Sequence, residues 1–300
     1  MTRVRSLMTA AAAVMGVALA GPALALDEGC RLVVETGANE WRMELDPLDQ
    51  ESALQTFDLA VLNQGQGDCV VRPRVDLRGD TFGLMNGEGA DRLDYVLFEE
   101  RAGVDVTPRA GVSARRINGR ALKVAPGERS LLRFSFAAQA SQTMAAGRYS
   151  QSVFIDLETQ EGRVEAEKPV SLSVEVPRVA LMGLKGQFRR EGGLMTIDVG
   201  ELSQGARPLG ATLYVASTGG YSISVTSQNQ GRLSQGAGWF VPYVLTLDGQ
   251  AVDLSGEGRR EVVSRRPRLD DYPLAIVVGE TEGKRAGQYR DILTFTVAAI

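Results

Sequence analysis

Ala146-Gly147-Arg148-Tyr149-Ser150-Gln151-Ser152-Val153-Phe154-Ile155-Asp156-Leu157 decides the fold, because the chain repeats its pattern as Ala286-Gly287-Gln288-Tyr289-Arg290-Asp291-Ile292-Leu293-Thr294-Phe295-Thr296-Val297. In both copies an Ala-Gly pair precedes a Tyr, and large apolar residues stand four, six and eight positions beyond that Tyr. Side chains alternate between the faces of a β-strand, so each copy puts its Tyr and three large apolar residues on one face of a half-buried strand, with Ala-Gly supplying the turn before it.

Other matches follow in the same order. Tyr95-Val96-Leu97 corresponds to Tyr243-Val244-Leu245, Cys69 falls near Tyr221, and Met43-Glu44-Leu45-Asp46 corresponds to Met195-Thr196-Ile197-Asp198. Ordered matches separated by loop-sized differences point to two homologous halves joined around Pro177. Each half is long enough for an immunoglobulin-like sandwich. Apolar runs elsewhere are short, rich in Val, Ile, Leu, Phe and Tyr, and bounded by Gly, Asn, Asp or Pro, so the chain reads as all-β. The expected strands include Leu93-Phe98, Val170-Val176, Met195-Val199 and Tyr289-Val297. Ala137 to Ala146 lacks an apolar helical face and reads as a loop with at most one turn.

The copies differ in what comes next. After the Tyr149 strand, a polar loop leads into Val170-Ser171-Leu172-Ser173-Val174-Glu175-Val176, whereas Ala298, Ala299 and Ile300 follow Val297. The expectation is that the second sandwich lacks the last strand that the first possesses, leaving an open edge that invites pairing with another chain. The alternatives are that the Val170 run is a linker or that the second half closes with a different strand.

Composition removes much enzymology. Among 300 residues there are 33 Lys plus Arg, 37 Asp plus Glu, two Cys and no His, with 44% hydrophobic residues. Without His, Ser-His-Asp and Cys-His catalysis and His-containing zinc sites are excluded. Two cysteines hold neither a four-cysteine zinc site nor an iron-sulfur cluster, and no basic excess draws the chain onto nucleic acid. No cofactor or metal is expected.

Arg3 and Arg5 precede an Ala-rich apolar run from Leu7 to Ala20, and Gly21-Pro22-Ala23-Leu24-Ala25 forms a small-residue cleavage pattern. Residues 1–25 are therefore expected to be a secretory signal peptide rather than a membrane anchor. Export to an oxidising compartment makes a Cys30–Cys69 disulfide the favoured reading over two buried thiols. The division expected is residues 26–176 for an N-terminal sandwich and 177–300 for a C-terminal one.

Tyr221-Ser-Ile-Ser-Val-Thr-Ser-Gln-Asn-Gln-Gly-Arg-Leu, Val241-Pro-Tyr-Val-Leu-Thr-Leu-Asp-Gly and the terminal Ala286-Gly-Gln-Tyr segment resemble the spore coat protein U domain (SCPU), which is shared with pilins of archaic chaperone-usher pili. The resemblance implies an incomplete immunoglobulin-like sandwich, export to the periplasm, capture by a pilus chaperone through donor-strand complementation, and assembly at an outer-membrane usher onto a neighbouring pilin subunit. It also implies a Cys pair like Cys30 and Cys69, which the second half lacks. Two-domain subunits in such systems resemble tip adhesins. With Leu26 to Gly29 alone between the expected cleavage site and Cys30, there is no segment to donate a strand. A tip position follows as the expectation.

The expected acceptor groove is lined by Tyr289, Leu293, Phe295 and Val297. Phe82, Leu84 and Met85 lie in a Gly-containing stretch and form a possible contact loop, against the commoner outcome that such side chains tuck into the core. Trp41 and the Trp239-Phe240 pair carry the same ambiguity. Arg259, Arg260, Arg265, Arg266 and Arg268 suggest an anion site, but flanking Glu257, Glu261, Asp270 and Asp271 favour a solvated mixed-charge loop. Asp94, Glu99 and Glu100 fit no metal-ligand spacing. The function expected is a secreted, non-enzymatic adhesive or structural pilus subunit at the cell surface. The alternatives are a self-contained periplasmic or envelope-associated binding module and, remotely, a glycosidase using two carboxylates.

Overall fold

A computed structural model of the chain describes residues 29–300, apart from 36, 38, 50–52, 88–90, 110–120, 140, 142–143 and 237. The expected signal peptide and Leu26 lie outside the described residues. Within them the structure is all-β, with no helix.

The strands up to Val176 are β1 (Leu32–Glu35), β2 (Glu40–Glu44), β3 (Ala53–Asn63), β4 (Cys69–Asp76), β5 (Leu84–Asn86) and β6 (Arg92–Leu93). They continue with β7 (Tyr95–Glu99), β8 (Val104–Asp105), β9 (Leu122–Val124), β10 (Arg129–Ala138), β11 (Gly147–Glu158) and β12 (Val164–Val176). One sheet runs β1-β3-β10-β7-β8 and the other β2-β12-β11-β4-β9, with β5 also paired to β11 and β6 to β5. Their facing sides bury one core, in which Phe134, Phe136 and Leu97 meet Tyr149, Val153, Ile155, Leu172 and Val174. Period-two alternation of apolar and polar residues puts these side chains inward.

From Ala180 onward the strands are β13 (Ala180–Gly186), β14 (Arg189–Glu191), β15 (Leu194–Thr196), β16 (Gly205–Ser217), β17 (Tyr221–Ser227) and β18 (Arg232–Gln235). After these come β19 (Trp239–Leu247), β20 (Gln250–Val252), β21 (Gly258–Val262), β22 (Arg268–Val278) and β23 (Leu293–Ala299). One sheet runs β13-β16-β22-β19-β18 with β20 on β19, a second runs β21-β17-β23, and β14-β15 is a separate hairpin. A second core forms around Leu213, Tyr221, Ile223, Leu245, Leu274 and Ile276.

Among the described residues, strand pairing stays within each of these two groups. Where they meet, Thr218 is a shared fastening. Its hydroxyl donates to Pro177 O at 3.0 Å and accepts from Val179 N at 3.0 Å, while its carbonyl accepts from Ala146 N at 3.0 Å.

Several elements depart from expectation. The Arg259–Arg268 stretch is a loop only in part: Gly258–Val262 forms edge strand β21 on β17, residues 263–267 connect it with Arg265 and Arg266 exposed, and Arg268 opens β22. Leu93-Phe98 is divided between β6 and β7. Strand β13 has no counterpart in the expected set because its glycines dilute the apolar signal. A Cβ at Gly183 would lie 2.5 Å from Tyr214 Cζ on the paired strand, so a larger residue there would have to displace the Tyr214 ring. The Tyr289 and Met195 strands are also shorter than expected, for a reason that lies in the site itself.

Candidate strand-accepting edge

Two glycines set the geometry. Gly147 and Gly287 have φ of 137° and 147°, outside the range that L side chains readily adopt. Each starts a segment whose Tyr hydroxyl bonds back to a carbonyl: Tyr149 donates to Ala145 O at 3.0 Å and Tyr289 to Arg285 O at 2.8 Å. This is the tyrosine-corner arrangement of immunoglobulin-like sandwiches. The match extends into the core. Tyr95 donates to Gln151 Oε1 at 2.9 Å, and Tyr243 donates to Asp291 Oδ2 at 2.6 Å, with both acceptors two residues beyond the corner Tyr. Burial is the first cause that raises the pKa of both Tyr95 and Tyr243 well above the ordinary phenol value. Sequence reasoning missed Gln151 and Asp291. Their signal was a polar residue at the same offset on an otherwise apolar face.

The difference between the copies is what flanks them. β11 has β4 and β5 on one side and β12 on the other, paired from Gly147↔Val176 to Glu158↔Val164. Val153, Ile155 and Leu157 are all 0% exposed and Tyr149 is 1% exposed. β23 pairs with β17 alone, from Tyr221↔Ala299 to Ser227↔Leu293, and no described strand lies along its other side. Leu293, Phe295 and Val297 pack on the second core, as does Tyr289, yet all four remain partly open. The same alternation therefore gives full burial with two neighbours and partial burial with one. An edge of this kind presents unpaired backbone N–H and C=O groups together with an uncovered apolar row. The missing neighbour also explains the shortened strand: among the described residues, 287–292 make a single β-bridge, Ser234↔Arg290.

A second wall is missing from the same place. In the first half, β2 runs parallel to β12, with Leu172 opposite Trp41 and Val174 opposite Met43. Trp41, Met43 and Leu45 are accordingly buried. Among the described residues, the corresponding Met195 segment pairs only within its own hairpin, leaving Leu194 and Met195 53% and 47% exposed.

The remaining sequence-predicted residues fall in varied places. Cys30 and Cys69 form a disulfide with Cα atoms 4.9 Å apart. Leu84 is fully buried on β5, Phe82 is half-buried with its ring 4.9 Å from that of Tyr95, and Met85 is exposed, so the three share no common open surface. Trp41 stacks on Phe57 at 5.0 Å inside the core, whereas Trp239 is exposed. Arg259 pairs with Glu261, and Arg268 grips Asp270 through two 2.6 Å hydrogen bonds. Glu99 is buried, with its carboxylate accepting from the amides of Arg101 and Ala102, while Glu100 bonds Ser135. Asp94 is exposed.

No protein-family model matches the chain, and no curated protein sequence matches it; the spore coat protein U likeness rests on the residues quoted above. Solved structures do resemble it. One is the chaperone–tip adhesion subunit complex of the archaic chaperone-usher Csu pili of Acinetobacter baumannii, with 13% identity over 86% of this chain and 97% of that one, at a TM-score of 0.47. Another is the CupB6 tip adhesin of Pseudomonas aeruginosa, with 12% identity over 89% and 94% of the two chains and a TM-score of 0.39. The CooA pilin subunit of enterotoxigenic Escherichia coli matches 50% of this chain and 99% of its own, with 15% identity and a TM-score of 0.34. At these values the likeness is one of general architecture.

Proposed function

We propose that this chain is an exported, non-enzymatic adhesive subunit of a chaperone-usher type surface pilus, placed at the tip. Residues 26–176 serve as a self-completed adhesin domain and residues 177–300 as a pilin-like domain. In the second, Tyr289, Leu293, Phe295 and Val297 line a groove that accepts a β-strand, first from a periplasmic chaperone and then, after passage through an outer-membrane usher, from the adjoining subunit. The observation that carries this reading is the contrast between β11, enclosed by β4 and β12, and β23, which among the described residues has β17 alone. Strand addition satisfies the free backbone groups of such an edge and buries its apolar row in one step.

Amide hydrogen exchange on the full chain tests the reading. The amides of residues 293–299 should exchange much faster than those of 147–158, because β-bridges on one side alone protect an edge poorly. Equal protection of the two strands would mean that the second half is closed, and the strand-accepting role would be abandoned.

A further inference from the structure

Resting on the adhesive reading of the first half, we infer that the outer face of its β3-β10-β7 sheet carries a site for a neutral oligosaccharide. Phe98 and Leu131 support the sugar rings there, and the row Asp58, Arg133 and Glu100 binds their hydroxyls.

Alternation sends Leu132, Phe134 and Phe136 of β10 into the core and leaves Leu131, Arg133 and Ser135 on the outside. The register lays neighbours beside them: Ala60 opposite Leu131, Asp58 opposite Arg133, and Thr56 and Phe98 on either side of Ser135. Glu100 N donates to Arg133 O at 3.0 Å, and beyond that contact no described strand pairs with β10 on the β7 side. Where β7 turns away, an open depression of about 370 Å³ remains, lined by Asp58, Glu100, Arg101, Leu131 and Arg133. That volume suits a small ligand.

The polar row is fixed before any ligand arrives. Arg133 Nε and Nη2 donate to the two oxygens of Asp58 at 2.8 and 2.9 Å, and Glu100 Oε1 accepts from the Ser135 hydroxyl. Arg133 Nη1 and Glu100 Oε2 take no part in these bonds, so a donor and an acceptor stand on one row. A hydroxyl both donates and accepts and satisfies the two together, which neither a carboxylate nor an ammonium does. Asp58 and Glu100 balance Arg101 and Arg133 in charge, so the depression has no net field to favour an ionic ligand.

The apolar supports flank that row. Phe98 and Leu131 are 38% and 50% exposed, on opposite sides of it. Phe98 is level with Ser135, four residues from Leu131, which is about 13 Å at the rise of a strand. This span exceeds one sugar ring and fits a short oligosaccharide whose apolar ring faces lie on the two side chains and whose hydroxyls reach the row between them.

The test is an array of neutral, amino and acidic oligosaccharides probed with the full chain, followed by calorimetric titration of the strongest neutral binder. Neutral oligosaccharides should bind, and acidic ones should bind no better. Phe98→Thr and Glu100→Gln should each weaken binding about tenfold and leave the thermal midpoint in place, because Thr suits a strand and Gln keeps an acceptor for Ser135. Val70→Thr, exposed on the opposite sheet, should bind as the wild type does. Binding confined to acidic oligosaccharides would overturn the neutral assignment. Equal affinity of the wild type and both site variants would overturn the site while the adhesive reading stands. No binding across the array, with the chain still retained on protein-coated or polystyrene surfaces, would overturn the saccharide inference alone; retention on none of them would bring down the adhesive reading as well.

Discussion

Tyr149 and Tyr289 make the same hydrogen bond to a carbonyl four residues upstream, yet the first is 1% exposed and the second is partly open. Identical local geometry thus sits in two solvent environments, and the difference lies in the neighbouring strand. A hydrogen bond removed from a dry site leaves its carbonyl without a partner, whereas water replaces the lost donor at a wet one.

Tyr149→Phe should therefore cost about 1–3 kcal/mol of stability, and Tyr289→Phe at most about 0.5–1 kcal/mol. Urea unfolding of the full-length variants, followed by far-ultraviolet circular dichroism, checks the ordering. Equal losses would contradict the open-edge geometry.

Reducing the Cys30–Cys69 disulfide should destabilise the first half alone, by about 4 kcal/mol in the chain-entropy account for the separation of 39 residues. The second core contains no cysteine. Tryptophan fluorescence distinguishes the halves, because Trp41 is buried in the first core and Trp239 is exposed in the second half. With reductant, the emission change from Trp41 should move to lower urea while the second-half transition stays in place.

Asp156 is 1% exposed on the outer side of β11, with Arg78 at 2.7 Å from one oxygen and no partner for the other. Burial raises its pKa, and the Arg78 hydrogen bond opposes the rise only in part. A raised carboxyl binds its proton more tightly in the folded chain, so its stabilising contribution is present in acid and is lost as pH rises through the raised value. Asp156→Asn should therefore gain stability relative to wild type as pH increases from about 4 to 7. Thermal midpoints across that range measure the trend, and a gap that shrinks with pH would refute it.

Asp270 has the opposite sign. The Arg268 hydrogen bond is the leading cause that holds its carboxyl below the ordinary value, burial opposes this, and the Tyr221 hydroxyl at 2.6 Å adds to the lowering. Stability from a lowered carboxyl is present above its unfolded value of 3.8 and is lost as pH falls through the folded one. Asp270→Asn should be destabilising at neutral pH, and its deficit should narrow in acid. A deficit independent of pH would assign the loss to packing.

Much of this was legible in particular residues. The Ala-Gly-x-Tyr repeat placed both corner turns, their tyrosines and the inward faces of β11 and β23, because strand alternation and a glycine at positive φ are local requirements. The Cys pair was readable from export chemistry. Strands β13 and β21 were not legible, since glycines weaken the apolar pattern of one and exposed arginines and glutamate dominate the other. The exposure of Met195 was equally hidden: its sequence matches that of Met43, but its strand pairs with β14 in a hairpin where that of Met43 pairs with β12.

By itself, the sequence determined the all-β class, the internal repeat and which side chains of the repeated strands face inward, because these depend on chirality, side-chain period and turn chemistry over a few residues. Only the tertiary structure decided which of those faces are covered. β12 closes the first half and nothing described lies at the equivalent position in the second, because burial depends on what a distant part of the chain, or another chain, places alongside.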